Sequence, residues 1–454
     1  CNAIEERLKN SEKGKMVSFQ SYKERLNFSQ KISILTLCIH GVDLDEKAVE
    51  LAQLNLLLKL LEDETPESHK RLLPNLKENI KCGNSLIDDS KVAGDKAFKW
   101  EAQFRDVFDN GGFDIVIGNP PYGAELKDED KAYLKKRFLG DKTGNTASFF
   151  IFLGESILKN KGGLSFIVPK QLTYTSSWIG TRKLLLNEDL RFVIDSSEAF
   201  EDVELEQIIF IFKKQKKEDR EVIVGFSNSK KIVEDKSNIK YFDEERFPLW
   251  ITEQNHNIFE KVLKESSALR DIAHVNWGGL VAKHLTKNKT SDSIPCIRGR
   301  EVQRYHFTNE YFIKKKDIIE SYYVKGEKLI FQRIVCRYGE KIIANYRNAR
   351  IVGTYVNDNN YDDKTVTLIY DSKVNLKFLL GFFNSKLINW FAHRYLWNRS
   401  QLTMEFMYEY ARNFPIKLPD KTQETRIVSL VDSMLSLQKQ LHEKNLSGNE
   451  KERL

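Results

Sequence analysis

The chain has 454 residues and a mass of 53.0 kDa, room for two to four domains at roughly 100–200 residues each. Hydrophobic residues make up 41% and charged residues 30%, and 28 Phe with 17 Tyr exclude a disordered chain, which lacks aromatics to bury. No apolar run approaches the ~20 residues that span a bilayer and nothing resembles a signal peptide, so a membrane-free, cytoplasmic protein is expected. The net charge of +7 is unevenly spread: residues 281–350 carry 16 basic and 7 acidic side chains, a net of +9, which leaves −2 for the remainder. That local excess, interleaved with Tyr305, Phe307, Tyr311, Phe312, Tyr322, Tyr323, Phe331 and Tyr338, marks a polyanion footprint. The five cysteines, Cys1, Cys38, Cys82, Cys296 and Cys336, are odd in number and lack metal-knuckle spacing, so reduced thiols and no metal site are expected.

In chain order, a mainly apolar run over 32–42 ends in Gly41-Val42-Asp43, and Asp45 stands as the cap of a helix carrying Ala48, Val49, Leu51, Ala52, Leu54, Asn55 and Leu58. A short strand follows from Ile80, with a turn at Gly83-Asn84. Phe113–Gly118 reads as a compact buried strand running into Asn119-Pro120-Pro121-Tyr122, and 148–158 as a helix stopped at Lys161-Gly162-Gly163. Strands at 164–168, 191–195, 207–212 and 222–226 complete the series. Alternating apolar runs and helical patterns predict an α/β fold with a parallel sheet and crossover helices. A helix over 252–264 leads to a β-rich, basic region to about 420. Residues 377–397 are strongly apolar, and 422–444 form an amphipathic helix with a charged tail.

The segment 118–122 carries the chemistry. Two prolines directly after a strand fix φ and remove two donors while their carbonyls stay free. The turn leaves the sheet at the strand's carboxyl end, where open α/β sheets place ligands. The Asn119 amide oxygen and the Pro120 carbonyl are two acceptors, and Tyr122 is a flat ring beside them. Together they suit a planar group with an exocyclic amine, whose two hydrogens the acceptors take while the ring stacks on its face. Methyl transfer to such an amine needs positioning and placed dipoles more than a titrating base, because the methylated ammonium is itself a good acid.

The segment Phe113 to Gly123 resembles the catalytic motif of the gamma-class adenine-N6 DNA methyltransferases, the TaqI-like enzymes and the methylase parts of type IIG restriction-modification enzymes. Gly41–Asp45 resembles the family's second motif, which implies that Asp43 binds the ribose hydroxyls of S-adenosylmethionine. Cys82–Leu86 resembles the third, which implies that Asn84 contacts the cofactor adenine. Residues 162–169 resemble the strand after the catalytic motif, and Asn119 sits beside both substrates. Phe200, in Glu198-Ala199-Phe200-Glu201, stands where the family stacks the flipped adenine opposite Tyr122, and Phe149 or Phe150 is a further cofactor contact. The catalytic set implied is Asn119, Pro120, Pro121 and Tyr122. Residues 294–302 and 382–390 resemble recurrent segments of the family's target-recognition domain. Its expected DNA contacts are Lys287, Lys289, Arg298, Arg300, Arg304, Arg333, Arg337, Arg347 and Arg399.

The resemblance implies a Rossmann-like methyltransferase domain over 1–250, an α+β target-recognition domain over 251–420 and a helix with tail over 421–454. The cofactor is S-adenosylmethionine, the partner is double-stranded DNA, and a monomer on DNA is expected. The family's Gly-rich first motif is not found before Asp43, and the residues from Cys1 resemble the helix that follows it. The chain is therefore expected to begin just after that loop, to lack the first strand, to bind cofactor weakly, and to leave room for an upstream nuclease domain. Two alternatives stay open: an RNA or protein-glutamine amino-methyltransferase, which shares Asn-Pro-Pro-Tyr, and a non-catalytic sequence-specific DNA-binding fragment.

Overall fold

The computed structural model describes residues 26–61, 73–197, 205–218, 220–228, 231–252, 255–336, 350–400 and 404–443. The chain packs as two compact units, 1–116 with 121–162, and 117–120 with 163–454.

In the first unit, Asn27 and Gln30 form a reciprocal capping box that starts helix α1 (Phe28–Cys38). The apolar run over 32–42 is therefore mostly helical, and only its end forms strand β1 (Gly41–Asp43). Asp45 accepts from the Lys47 amide at 2.8 Å and starts helix α2 (Glu46–Leu61), as its position implied. Strand β2 (Ile80–Cys82) pairs parallel with β1, Gly41 opposite Ile80. The buried Asn79 amide donates to the carbonyls of Thr36 and Ile39, which fixes the α1–β1 corner. Helix α3 (Asp128–Arg137) carries Asp128, Glu129 and Asp130 in its first turn and Lys135, Lys136 and Arg137 in its last, complementing the helix dipole. Helix α4 (Thr146–Ile157) is capped by Asn145, whose side chain accepts from the Ala147 amide at 3.0 Å. Leu134 of α3, Phe138 just past its end, and Phe149, Leu153 and Ile157 of α4 close a core over Leu86 and Ile87.

Strands β3 (Phe113–Gly118) and β4 (Leu158–Pro169) run from one unit into the other. With β5 (Asp189–Ser197), β6 (Gln207–Lys213), β7 (Glu221–Asn228) and β8 (Lys231–Asn238) they make one six-stranded sheet in the order β3-β4-β6-β5-β7-β8. The sheet is mixed, not parallel as the alternation suggested. β6 runs antiparallel to both β4 and β5, β5 and β7 are parallel, and β7 and β8 antiparallel. The nine-residue connection from β5 to β6 is too short for a helical crossover, so the chain returns in the opposite direction. Nor is β3 the buried strand expected: among the described residues it stands at the edge of this sheet, with Ile115 56% and Ile117 77% exposed. Gly112, at φ 113°, enters it so closely that a Cβ would lie 2.6 Å from the Ile157 carbonyl oxygen.

The carboxyl-terminal region is built on an antiparallel sheet in the order 274–277, 366–370, 327–332 and 353–357. The apolar stretch over 377–397 is two helices, α5 (Leu376–Asn384) and α6 (Lys386–Tyr395), because Ser385 is extended and its hydroxyl accepts from the Ile388 amide. Phe259, Phe331, Phe383, Phe391, Phe406 and Phe414 fill the core between sheet and helices. Helix α7 (Lys421–Glu443) lies on α5, tied by Lys377 Nζ to Asp432 at 2.6 Å and by the Asn375 amide to Glu424 at 2.8 Å. Among the described residues, no helix is long and apolar enough to cross a membrane.

One buried charge cluster binds the ends of the sheet strands to this region. Lys170 Nζ lies 2.7 Å from Asp195 and 3.0 Å from Glu206, all three nearly solvent-free, and Ser400 donates to the other Glu206 oxygen. Burial alone would lower the Lys170 pKa; the two carboxylates outweigh it and hold the ammonium well above its usual range. Next to Ser400, Asn398 donates to Thr173 and to the Phe247 carbonyl while its oxygen accepts from the Leu249 amide. Asn398 and Arg399 take left-handed φ values of 45° and 56°, a strained pair that this bonding holds in place.

Candidate active site and nucleic-acid interface

The chain leaves β3 at Gly118 directly into Asn119-Pro120-Pro121-Tyr122, as the sequence implied. Asn119 is exposed, Pro120 buried, Pro121 exposed and Tyr122 half-buried. Partial burial raises the Tyr122 phenol above its usual pKa, so the ring is neutral at physiological pH.

The turn around Tyr122 is fixed by a residue that the sequence reading did not single out. Thr146 is 2% exposed, and its hydroxyl donates to the Pro121 carbonyl at 2.6 Å. The same oxygen accepts from the amides of Gly123 and Ala124, at 3.1 and 3.3 Å. One buried side chain thus satisfies the main chain on both sides of Tyr122. Gly123 has φ 76°, a value that favours glycine and lets the chain reverse there. Asn145-Thr146 before an apolar run is legible as a helix start. Nothing local in the sequence says that the hydroxyl reaches 25 residues back.

In the first unit, Asp43 and Asn84 stand at the carboxyl ends of the adjacent parallel strands β1 and β2. Asp43 is exposed, and one carboxylate oxygen accepts from the Asp45 amide at 2.9 Å. Asn84 Oδ1 accepts from the Leu86 amide at 3.1 Å, so its carbonyl shapes the turn. That turn is braced from α3, where Arg137 donates to the Leu86 carbonyl at 3.1 Å and pairs with Asp88 at 2.9 Å. Phe149 is fully buried and stacked on Phe138, with centroids 5.9 Å apart; it is a core residue and closed to a cofactor. Phe150 packs partly buried against the same core. Phe200, Arg337 and Arg347 lie outside the described residues.

In the second unit, three of the expected DNA contacts converge on one ring. Lys287, Arg298 and Arg300 place their cationic groups 5.8, 5.2 and 4.7 Å from the Tyr311 centroid. The buried Asp363 lies 3.6 Å from Arg298 and offsets part of that charge. Lys289 is exposed nearby in sequence and brings a further cation. Others also engage protein groups. Arg333 pairs with Glu405 at 3.0 Å, and Arg399 stacks 3.9 Å over Trp250. Arg304 donates to the Asn384 carbonyl at 2.9 Å. Among the described residues no group of His, Cys, Asp and Glu is placed to hold a metal ion, and Cys38, Cys82 and Cys296 are free thiols.

Residues 37–201 match the Eco57I restriction-modification methylase family, and residues 294–416 the TaqI-like C-terminal specificity domain family. The type II restriction enzyme and methyltransferase RM.Eco57I of Escherichia coli is 34% identical over 187 residues, 38% of this chain and 18% of its own length. RM.MjaORFECS2P of Methanocaldococcus jannaschii is 26% identical over 396 residues, 79% of this chain and 31% of its own length. The chain thus spans less than a third of either relative. Among solved structures, the type IIL restriction-modification enzyme MmeI in complex with DNA aligns over 96% of this chain and 62% of its own, with a TM-score of 0.60 at 10% identity. The DrdV–DNA complex aligns over 91% and 52%, with a TM-score of 0.52 at 11% identity. These two establish likeness of fold. In sequence, the chain is similar to type II restriction-modification methyltransferases, with an Eco57I methylase match over 37–201 followed by a TaqI-like specificity-domain match over 294–416.

Proposed function

We propose that the chain is the methylase and target-recognition part of a DNA adenine-N6 methyltransferase. The observation that carries this reading is the Asn119–Tyr122 turn: an exposed amide at a strand end, a buried proline behind it, and a half-buried ring whose flanking main chain Thr146 pins. The adenine amine is paired inside duplex DNA, so the target base must leave the stack to reach this turn. The Asn119 side-chain oxygen and the Pro120 carbonyl accept the two amine hydrogens, which favours a tetrahedral nitrogen with its lone pair localised. Tyr122 holds the base plane by stacking, with Phe200 proposed on its other face.

S-adenosylmethionine, when bound, supplies an electrophilic sulfonium methyl group. The residues present suit it: Asp43 offers a carboxylate oxygen to ribose hydroxyls, and Asn84 its amide to an adenine ring. Held by the Asn119 oxygen and the Pro120 carbonyl, the amine would present its lone pair to the sulfonium methyl group that the bound cofactor would supply, and would release its extra proton to solvent. The protein's contribution is placement and fixed dipoles. Target choice rests with the specificity segment, where the Lys287, Arg298 and Arg300 cluster contacts DNA.

The test is to incubate the full-length enzyme with methyl-labelled S-adenosylmethionine and duplex DNA, RNA or protein, and to digest the product to its units. Label in N6-methyl-2′-deoxyadenosine from DNA supports the reading. Label in RNA or glutamine, or in no product, contradicts it.

A further inference from the structure

The segment 382–390, singled out in the sequence but given no part in methyl transfer, forms one wall of a cavity within the second unit. The cavity is lined by Arg304, Arg350, Asn384, Ser385, Lys386 and Asn389. Two of these are buried asparagines whose amides are fully used in framing it. Asn384 donates to the Gly353 carbonyl at 3.0 Å; Asn389 donates to the carbonyls of Phe383 and Ser385 and accepts from the Ile351 amide at 2.6 Å. They fasten the chain following Arg350 to the junction of α5 and α6. On another wall a tight hairpin, with Tyr305 at φ 63°, presents Arg304. Its guanidinium lies 5.2 Å over the Tyr305 ring and is pinned to the Asn384 carbonyl.

Three cations therefore line one framed recess, and among the described residues none of them pairs with a carboxylate. Arg304 and Lys386 are exposed, and Arg350 is half-buried. Like charges gathered this way repel one another, and an anion seated between them reverses that cost. Ser385 accepts the Ile388 amide through its hydroxyl oxygen, which leaves its hydrogen to donate.

We propose that this cavity seats a backbone phosphate of duplex DNA, with Arg350 and Lys386 as its charged contacts and Arg304 as the preformed third. This rests on the reading of the chain as a DNA-binding methyltransferase. A phosphate contact positions the duplex and is blind to sequence.

The experiment is fluorescence anisotropy of the chain on a labelled random-sequence duplex across a salt series. The slope of log affinity against log salt falls by about 0.9 for each phosphate that the protein ceases to neutralise. The double variant Arg350→Ala/Lys386→Ala should flatten the slope by about 0.9, one phosphate's worth, and each single variant by part of that, while Lys136→Ala leaves it unchanged. Steep wild-type binding that both variants retain overturns the cavity proposal and leaves the DNA reading intact. A wild type with no salt-dependent affinity for duplex overturns the DNA reading and the proposal with it. Free inorganic phosphate as the true occupant would show as a thermal upshift in phosphate at fixed ionic strength, abolished in Lys386→Ala, with unchanged duplex slopes; that too overturns it.

Discussion

In the segment that matches the methylase family the proposed chemistry-bearing groups are four consecutive residues, Asn119 to Tyr122, set by the end of one strand and two fixed φ angles. In the specificity segment the groups that converge come from far apart: Lys287 from a loop, Arg298 and Arg300 from a turn, Tyr311 from a later one. The first site is written in the main chain and survives as a contiguous string. The second is assembled by tertiary packing, so a count of its charges points to a polyanion partner without saying which side chains would meet it. Of two residues acting on these sites, Thr146 shows in the sequence only as a helix start, and Tyr311 only as one of several aromatics in the basic window.

This contrast is most vulnerable where the strand ends and the specificity segment meet. Lys170→Met leaves Asp195 and Glu206 buried without their cation, a loss on the order of 3–5 kcal/mol. Urea unfolding should show a much lower midpoint in one cooperative transition. A midpoint within a few per cent of wild type would mean that the cluster is not part of the scaffold. A smaller effect is expected at the catalytic turn itself. Thr146→Val keeps the volume of the side chain but removes three hydrogen bonds around Tyr122. It should lower kcat by up to about 10²-fold, as misplacement of a reacting group by ~1 Å does, with little change in KM for DNA. Amide exchange at Gly123 and Ala124 should quicken in parallel, and Thr146→Ser should restore both. Equal exchange in Val and wild type would show that Thr146 does not clamp the turn.

A still more modest effect concerns pH and bears on the specificity side. His393 is buried with an unpartnered Nδ1; burial first, then the Arg394 and Arg399 charges, push its pKa down to about 3. The unfolded chain binds that proton at the ordinary value near 6.5, so between the two values the unfolded state holds more protons than the folded one. Stability should therefore be fully present above about pH 6.5 and fall as pH drops below it. Thermal melts from about pH 8 to about pH 5 should show a shallower decline in His393→Gln than in wild type. Parallel declines would show that other groups set the acid limit.

Much of the architecture was legible. Asp45 as a cap, β3 ending at Gly118 and the extent of β6 followed from caps, glycines and apolar runs. Strand direction did not, because an apolar run reads alike in parallel and antiparallel pairs, and only the short β5–β6 connection forces reversal. The exposure of Ile115 and Ile117 was hidden for a related reason, since a run of apolar residues does not say which face is covered. Phe149 was misread because an aromatic beside a site motif and a core aromatic are the same letter in a sequence; its stacking on Phe138 decides. Arg333 and Arg399 were counted with the DNA contacts on charge alone, and only coordinates reveal that Glu405 and Trp250 engage them.

The functional assignment requires that Asn119 and its turn hold an adenine amine for methylation. The decisive measurement compares Asn119→Ala with the wild-type full-length enzyme, reading N6-methyl-2′-deoxyadenosine formation and duplex affinity in the same preparation. Methylation is expected to fall by at least about 10²–10³-fold, the loss typical of removing one placed dipole, with duplex affinity largely kept. Retained N6 methylation with lost DNA binding would contradict it.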